Sequence, residues 1–197
     1  MRPDVGGASD SLLERARRGD GRAFEQLALE IERPLYRHAA RMLGQDDAED
    51  AVQDALLSAW KSLASFEGTS FRAWMFRIVT NRALDRLRSR KRHPELPLDP
   101  PTDDDDTSAW AEPPAPGPEL ADLAAGREAL AVVEQALATL PAEQRAALLL
   151  RDVEGFAYEE IATITSTEIG TVKSRIHRGR LAVRNVLVSR GWKGSGG

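Results

Sequence analysis

Eight of the chain's eleven prolines, Pro94, Pro97, Pro100, Pro101, Pro113, Pro114, Pro116 and Pro118, fall between His93 and Pro118, around the acidic run Asp103–Asp106. Proline fixes φ and removes an amide donor, and adjacent carboxylates repel, so neither a helix nor a sheet can continue through this stretch and an extended linker is expected. The 197 residues are thereby divided into two short segments. Each must find its own apolar core or share one with the other.

The first segment carries helical periodicity throughout. Ser11 and Glu14 have capping-box spacing, and Gly19-Asp20-Gly21 ends a first short helix. Phe24, Leu27, Ile31, Leu35, Ala39 and Met42 recur at three- and four-residue steps up to Gly44, with a kink expected at Pro34. A third helix from Asp46 buries Ala48, Val52, Ala55, Leu56, Ala59 and Leu63 and leaves Asp50, Gln53, Asp54 and Lys61 outside. A fourth spans about 71–92. Its apolar side shifts from Phe71, Met75 and Ile78 to Leu84 and Leu87, so it must meet partners on two sides.

After the linker, Leu120, Leu123, Leu130, Val133, Leu137 and Leu140 keep helical spacing. Pro141 suits the first position of a further helix, which Leu148, Leu149 and Val153 carry to Gly155. Two more helices, about 158–165 and 168–188, are separated by Ser166 and Thr167, which is helix-turn-helix spacing. The expected fold class is all-α: two small helical domains joined by an extended Pro/Asp-rich linker, the C-terminal one a helix-turn-helix. The glycine-rich stretch 191–197 is expected to be disordered.

Charge counted by segment is more informative than the net −4. Residues 1–95 hold 17 Lys+Arg against 15 Asp+Glu, residues 96–128 hold 1 against 9, and residues 129–197 hold 9 against 7. The acidity is that of the linker. Two basic runs remain, Arg77, Arg82, Arg86, Arg88, Arg90, Lys91 and Arg92, then Lys173, Arg175, Arg178, Arg180 and Arg184, and each could neutralise several phosphates. The plain alternative is a solvated helix face. Such a face normally mixes signs, and no acidic residue occurs after Thr171.

Other chemistries find little support. With no cysteine, thiolate zinc sites, iron–sulfur clusters and cysteine nucleophiles are excluded. The three histidines, His38, His93 and His177, are far apart in sequence, and no nucleophile–base set converges, so no cofactor, metal or enzymatic activity is expected. No apolar run approaches the roughly 18 residues of a membrane span; no membrane insertion and a cytoplasmic location are expected.

In the last helix Val172, Ile176, Val183 and Leu187 form the inward stripe, which turns Lys173, Ser174, His177, Arg178 and Arg184 outward. Docked as a helix-turn-helix, its N-terminal half would enter the major groove, where Arg or Lys pairs with guanine and Ser serves either base. A purely structural three-helix bundle is the alternative.

The stretch YEEIATITSTEIGTVKSRIHRGR (158–180) resembles the −35-reading helix-turn-helix of bacterial RNA polymerase sigma factors, above all the extracytoplasmic-function (ECF) group. DAEDAVQDALLSAW (47–60) is similar to that group's polymerase-docking helix, and FRAWMFRIVTNRALDRLRSRKR (71–92) to its −10-element helix, in the same order. The resemblance implies that Glu49, Asp50, Gln53 and Asp54 bind the coiled coil of the polymerase's largest subunit. It places the base-capturing asparagine on Asn81, between the phosphate-binding cations Arg77 and Arg88 on one helical stripe. Phe66 and Phe71 would wall an extruded base, whereas Trp74 is read as core. Lys173, Ser174, His177, Arg178 and Arg184 would read the −35 element. Three positions depart from the family pattern: Ala157 replaces a Ser or Thr cap, Ser166 the turn glycine and Thr165 a core leucine.

The resulting expectation is a sigma factor that directs core RNA polymerase to promoters and helps to open them. Its domains would be 9–92 for polymerase docking and −10 recognition, 93–118 as linker, 119–190 for −35 recognition, and 191–197 as tail. Partners implied are core polymerase (coiled coil and RNA exit path), duplex −35 and single-stranded −10 DNA, and an anti-sigma factor. Asp99 and Asp103–Asp106 would suit the basic RNA exit path as an RNA mimic, or serve as a solubilising spacer. A response-regulator-like DNA-binding protein would need a receiver domain, yet residues 1–95 show no alternating βα pattern; a helical adaptor that binds only protein is the other rival.

Overall fold

The structure, a computed structural model, describes the backbone of residues 6–68, 70–92 and 131–191, with side chains from Ser11 onward. Every regular element among these residues is helical. Helix α1 (Gly6–Arg17) starts before Ser11, which therefore lies inside the helix and does not cap it. The capping residue is Asp20, one element later. Gly19, at φ +93°, turns the chain, and the Asp20 carboxylate accepts the Arg22 and Ala23 amides at 3.1 Å each while Arg15 donates to it at 2.6 Å. The Ala23 amide and Arg15 hold this carboxyl below its ordinary pKa.

Helix α2 (Gly21–Leu43) buries Leu27, Ile31, Leu35, Ala39 and Met42 and stays helical through Pro34. Gly44, at φ +94°, returns its amide to Ala40 O and admits α3 (Gln45–Ser62). There Ala48, Ala51, Val52, Ala55 and Ala59 are buried, so small side chains let α3 lie close on α2; Leu56 is half-buried. A 3-10 turn, Leu63–Ser65, adds the buried Leu63. Helix α4 (Phe71–Arg92) has the bounds read from the sequence. Its buried residues include Phe76 and Thr80, which the apolar stripe did not single out. Thr80 is met by the buried His38, whose Nε2 lies 3.0 Å from the Thr80 hydroxyl.

Beyond the linker, α5 is described over 131–138. Pro141, expected as the first helical residue, instead precedes α6 (Ala142–Leu148) as its cap, because its ψ of 140° is still extended. A π-helical turn, Leu149–Val153, prolongs α6, and Gly155 at φ +78° ends it. Val153 is exposed, not core, since the wider π turn rotates it off the α-helical stripe. Helices α7 (Tyr158–Thr165) and α8 (Ile169–Ser189) follow. At α7, Ala157 has no side-chain acceptor, yet Glu160 reaches back to its amide at 2.8 Å, giving half of a capping box. Ser166 adopts φ +51°, ψ +47°, the left-handed conformation that a glycine would supply, and the Thr165 hydroxyl is absorbed by Ile161 O and Thr167.

Two domains on a tether were expected; in the structure the two segments are packed together. One apolar cluster runs from Leu35, Met42 and Phe76 to Leu149, Phe156, Ile161 and Ile176, with α4 against α7 and α6, and α2 against α6. Arg145 donates to Met42 O at 2.9 Å, at the C-terminal end of α2, and to Ala138 O and Leu140 O. Helix α4 thus has partners on two sides, α2 and α3 on one and the second segment on the other. The linker residues, including Asp99 and Asp103–Asp106, with Leu120, Leu123, Leu130, His93 and the tail 192–197, lie outside the described residues.

Candidate nucleic-acid and polymerase interfaces

Helix α8 presents the first candidate surface. Val172 and Ile176 are buried and Val183 and Leu187 half-buried, while Lys173, His177, Arg178 and Arg184 are exposed and Ser174 half-exposed. The chain can bring α8 so close to α6 because Gly179 is buried against Leu148, Gln144 O and Leu140, at 3.5–3.7 Å from where a Cβ would stand. Arg178 lies along its own helix, with Nη2 3.1 Å from the Ser174 hydroxyl. Lys173 sits 5.9 Å from the Tyr158 ring. Of the second basic run, Arg180 is already occupied by Asp152 at 2.5 and 2.9 Å, which also raises its pKa. Arg175 is half-buried, so the exposed cations of the run without an ion pair, Lys173, Arg178 and Arg184, are on the face read from the sequence.

The second surface is α3 with the basic run of α4. Glu49, Asp50, Gln53 and Asp54 are all exposed, and Gln53 donates to Glu49 at 3.2 Å. The acids do not stand alone: Asp54 pairs with Arg82 at 3.4 Å, Asp50 with Arg86 at 3.7 Å, and Asp47 with Arg86 at 3.1 Å and with Arg90. Three cations assigned to phosphates are consequently engaged by α3. Sequence periodicity could not show this, because the pairs join residues 28 to 43 positions apart. One exposed apolar residue was missed: Leu57, 58% exposed, stands beside Asp50, Gln53 and Asp54. Its signal was its spacing, four residues after Gln53 and seven after Asp50.

The third surface is the Arg77–Asn81–Arg88 stripe of α4. Arg77 and Arg88 are exposed and Asn81 is half-buried. Arg88 pairs with Asp85 at 3.2 Å and, across the segment boundary, with Glu143 at 3.3 Å. Glu143's own backbone amide, and then Arg88, hold its carboxyl below the ordinary value. Phe66 is only 9% exposed, its ring stacked on Trp74 at a centroid distance of 4.4 Å. Phe71 meets Phe24 edge-on. Trp74 is half-buried and packs against the core. Phe66, Trp74 and Arg77 nevertheless line a cavity of about 300 Å³, whose far wall is Glu160, Thr163 and Ile164 of α7.

His38 is 1% exposed and burial drives its pKa down to about 3; His177 is on the surface. Among the described residues no three His, Asp or Glu side chains are grouped to hold a metal, and no helix is long and apolar enough to cross a membrane.

A helical unit with a cationic stripe on one long helix, followed by a helix-turn-helix with a basic outer face, defines a helical DNA-binding transcription protein. Comparison with known proteins sharpens that class. The Sigma-70 region 2 family matches residues 27–93 and the Sigma-70 region 4 family matches residues 130–183. The RNA polymerase sigma-H factor of Pseudomonas aeruginosa is 36% identical over 184 residues, covering 89% of this chain and 92% of the relative. The ECF RNA polymerase sigma-E factor of Escherichia coli is 34% identical over 176 residues, covering 88% and 91%. Among solved structures, the sigma factor RpoE of Bartonella quintana, crystallised with the anti-sigma factor NepR, superposes with a TM-score of 0.61 at 31% identity, covering 83% of this chain and 96% of that one. The chain belongs to the ECF group of sigma-70-family RNA polymerase sigma factors. It serves promoter-specific transcription initiation by RNA polymerase, as a regulatory initiation factor that binds polymerase and promoter DNA.

Proposed function

We propose a division of labour along the chain. The first domain (9–92) docks core polymerase through Glu49, Asp50, Gln53 and Asp54 on the coiled coil of the largest subunit, with Leu57 as the apolar centre of that contact. Its α4 stripe captures single-stranded −10 DNA, Asn81 bonding the edge of an extruded base while Arg77 and Arg88 hold flanking phosphates and Phe66 and Phe71 supply apolar walls. The second domain (119–190) reads duplex −35 DNA through Lys173, Ser174, His177, Arg178 and Arg184. The protein performs no bond chemistry of its own. It works in the cytoplasm beside the polymerase, and an anti-sigma factor restrains it. The linker 93–118 runs along the RNA exit path, its aspartates standing in for RNA.

The observation that carries this reading is the outer face of α8, where Lys173, His177, Arg178 and Arg184 are exposed on a helix whose opposite face is buried. A helix of a purely structural bundle also turns polar residues outward, but such a face normally mixes signs, and here no acidic residue follows Glu168. Separable defects test the division. Charge reversal Asp50→Arg abolishes holoenzyme assembly measured by fluorescence anisotropy, whereas Asn81→Ala leaves assembly intact and impairs promoter opening measured by permanganate reactivity. Equal loss of assembly in both variants refutes the assignment.

A further inference from the structure

We propose that Ser174 serves the −35 element as a positioning residue: it braces the Arg178 guanidinium, and Arg178 alone makes the base choice on this turn of α8, for guanine. The inference rests on the assignment of the outer face of α8 to −35 duplex DNA and deepens it.

The hydroxyl of Ser174 is already engaged on both sides. A serine hydroxyl has one proton to donate, and that of Ser174 goes to Thr171 O at 2.9 Å. No donor remains for a base edge. The same oxygen accepts Arg178 Nη2 at 3.1 Å, while the Ser174 carbonyl accepts Arg178 Nε at 3.3 Å. One residue therefore holds both nitrogens of the Nε–Nη2 edge of the guanidinium. The hydrogens of the Nη1–Nη2 edge stay free, and that edge is a fork able to meet guanine O6 and N7 together. A serine that read directly would discriminate poorly, because its hydroxyl suits a donor or an acceptor on the base. As a brace it sharpens an arginine that discriminates well.

The brace also sets where the fork stands. Helical side chains lean toward the helix N-terminus, and the contact with position 174, one turn before Arg178, draws the guanidinium toward the N-terminal half of α8. That half enters the major groove in helix-turn-helix docking. Arginine carries much rotamer entropy, so a guanidinium ordered before binding avoids part of the cost of ordering it on DNA. The plain alternative is a surface pair four residues apart, which adds a little helix stability and nothing to recognition. Ser174 is half-exposed, so its substitution can separate the two without opening the core.

The test is holoenzyme binding, by competition, to a promoter fragment mapped with the wild-type holoenzyme and carrying each single base-pair substitution across its −35 element. Arg178→Ala flattens a preference for guanine at one base pair. Ser174→Ala lowers the preference at that same base pair about three- to tenfold, leaves the others unchanged, and adds nothing once Arg178→Ala is present. Its thermal midpoint does not fall, which sets a recognition effect apart from a structural one. Ser174→Thr restores the preference, because a threonine hydroxyl can still bond a carbonyl one turn back and accept from Arg178. An altered preference at a different base pair, or an effect of Ser174→Ala that persists in the Arg178→Ala chain, shows direct reading by Ser174 and overturns the proposal. Full preference retained in Ser174→Ala overturns it too, leaving the pair a helix-surface contact. If Arg178→Ala weakens every fragment alike, Arg178 meets a phosphate, and the proposal falls while the −35 assignment stands. If Arg178→Ala changes neither base preference nor salt dependence, the −35 assignment itself fails.

Discussion

At His38 the interior of the first segment is sensitive to pH. The buried imidazole is held neutral by desolvation, with Arg41 adding a smaller repulsion, and its pKa falls from 6.5 to about 3. The unfolded chain therefore takes up a proton near pH 6.5 that the folded chain refuses until about pH 3, so stability falls as pH drops between those values, by up to about 1.4 kcal/mol per unit. In His38→Leu that decline should flatten, while the lost bond to Thr80 costs about 1 kcal/mol at neutral pH. Urea unfolding at pH 7 and pH 5 measures both, and an unchanged slope in the variant would assign the pH effect elsewhere. Ser166 offers the opposite sign. Its left-handed backbone strains an L-residue, so Ser166→Gly should raise stability by about 0.5–1 kcal/mol in the same assay, net of glycine's extra unfolded-state entropy.

Among the elements, the helix bounds were the most legible part of the sequence. The stripe of α2, the 71–92 span of α4 and the pair α7–α8 follow from apolar spacing and from the glycines at 44 and 155, because those signals are local. The departures at Ala157, Ser166 and Thr165 left the turn standing, since Glu160 supplies a cap, serine tolerates the left-handed region at a cost, and the threonine hydroxyl finds a carbonyl. What local signals could not show is pairing over long separations. Arg82, Arg86 and Arg90 read as a free basic run and instead answer the acids of α3. For α8 the exposed face can be tested directly: Arg178→Ala weakens −35 duplex binding by about 1–3 kcal/mol if the guanidinium meets a base edge. A phosphate contact would instead weaken all sequences alike and reduce the salt slope by about one charge. No change in either quantity would remove α8 from the groove.

For the whole molecule, the proline-rich linker made two domains legible but concealed that they share a core. Arg72 to Glu154, Arg88 to Glu143 and Arg145 to Met42 join positions 82, 55 and 103 residues apart, and no periodicity marks such pairs in advance. The candidate site was legible where chemistry sits on one helix, as for Lys173, His177 and Arg178. It was not where the surroundings of a residue come from another segment, as for Phe66 and Arg88. Together, the proposed surfaces would give polymerase its choice of promoter. Run-off transcription on fragmented genomic DNA with core RNA polymerase, with and without this chain, tests it most directly. Discrete new start sites that appear only with the chain, and vanish with Asp50→Arg, are the predicted result; an unchanged transcript pattern when the chain is added would contradict it.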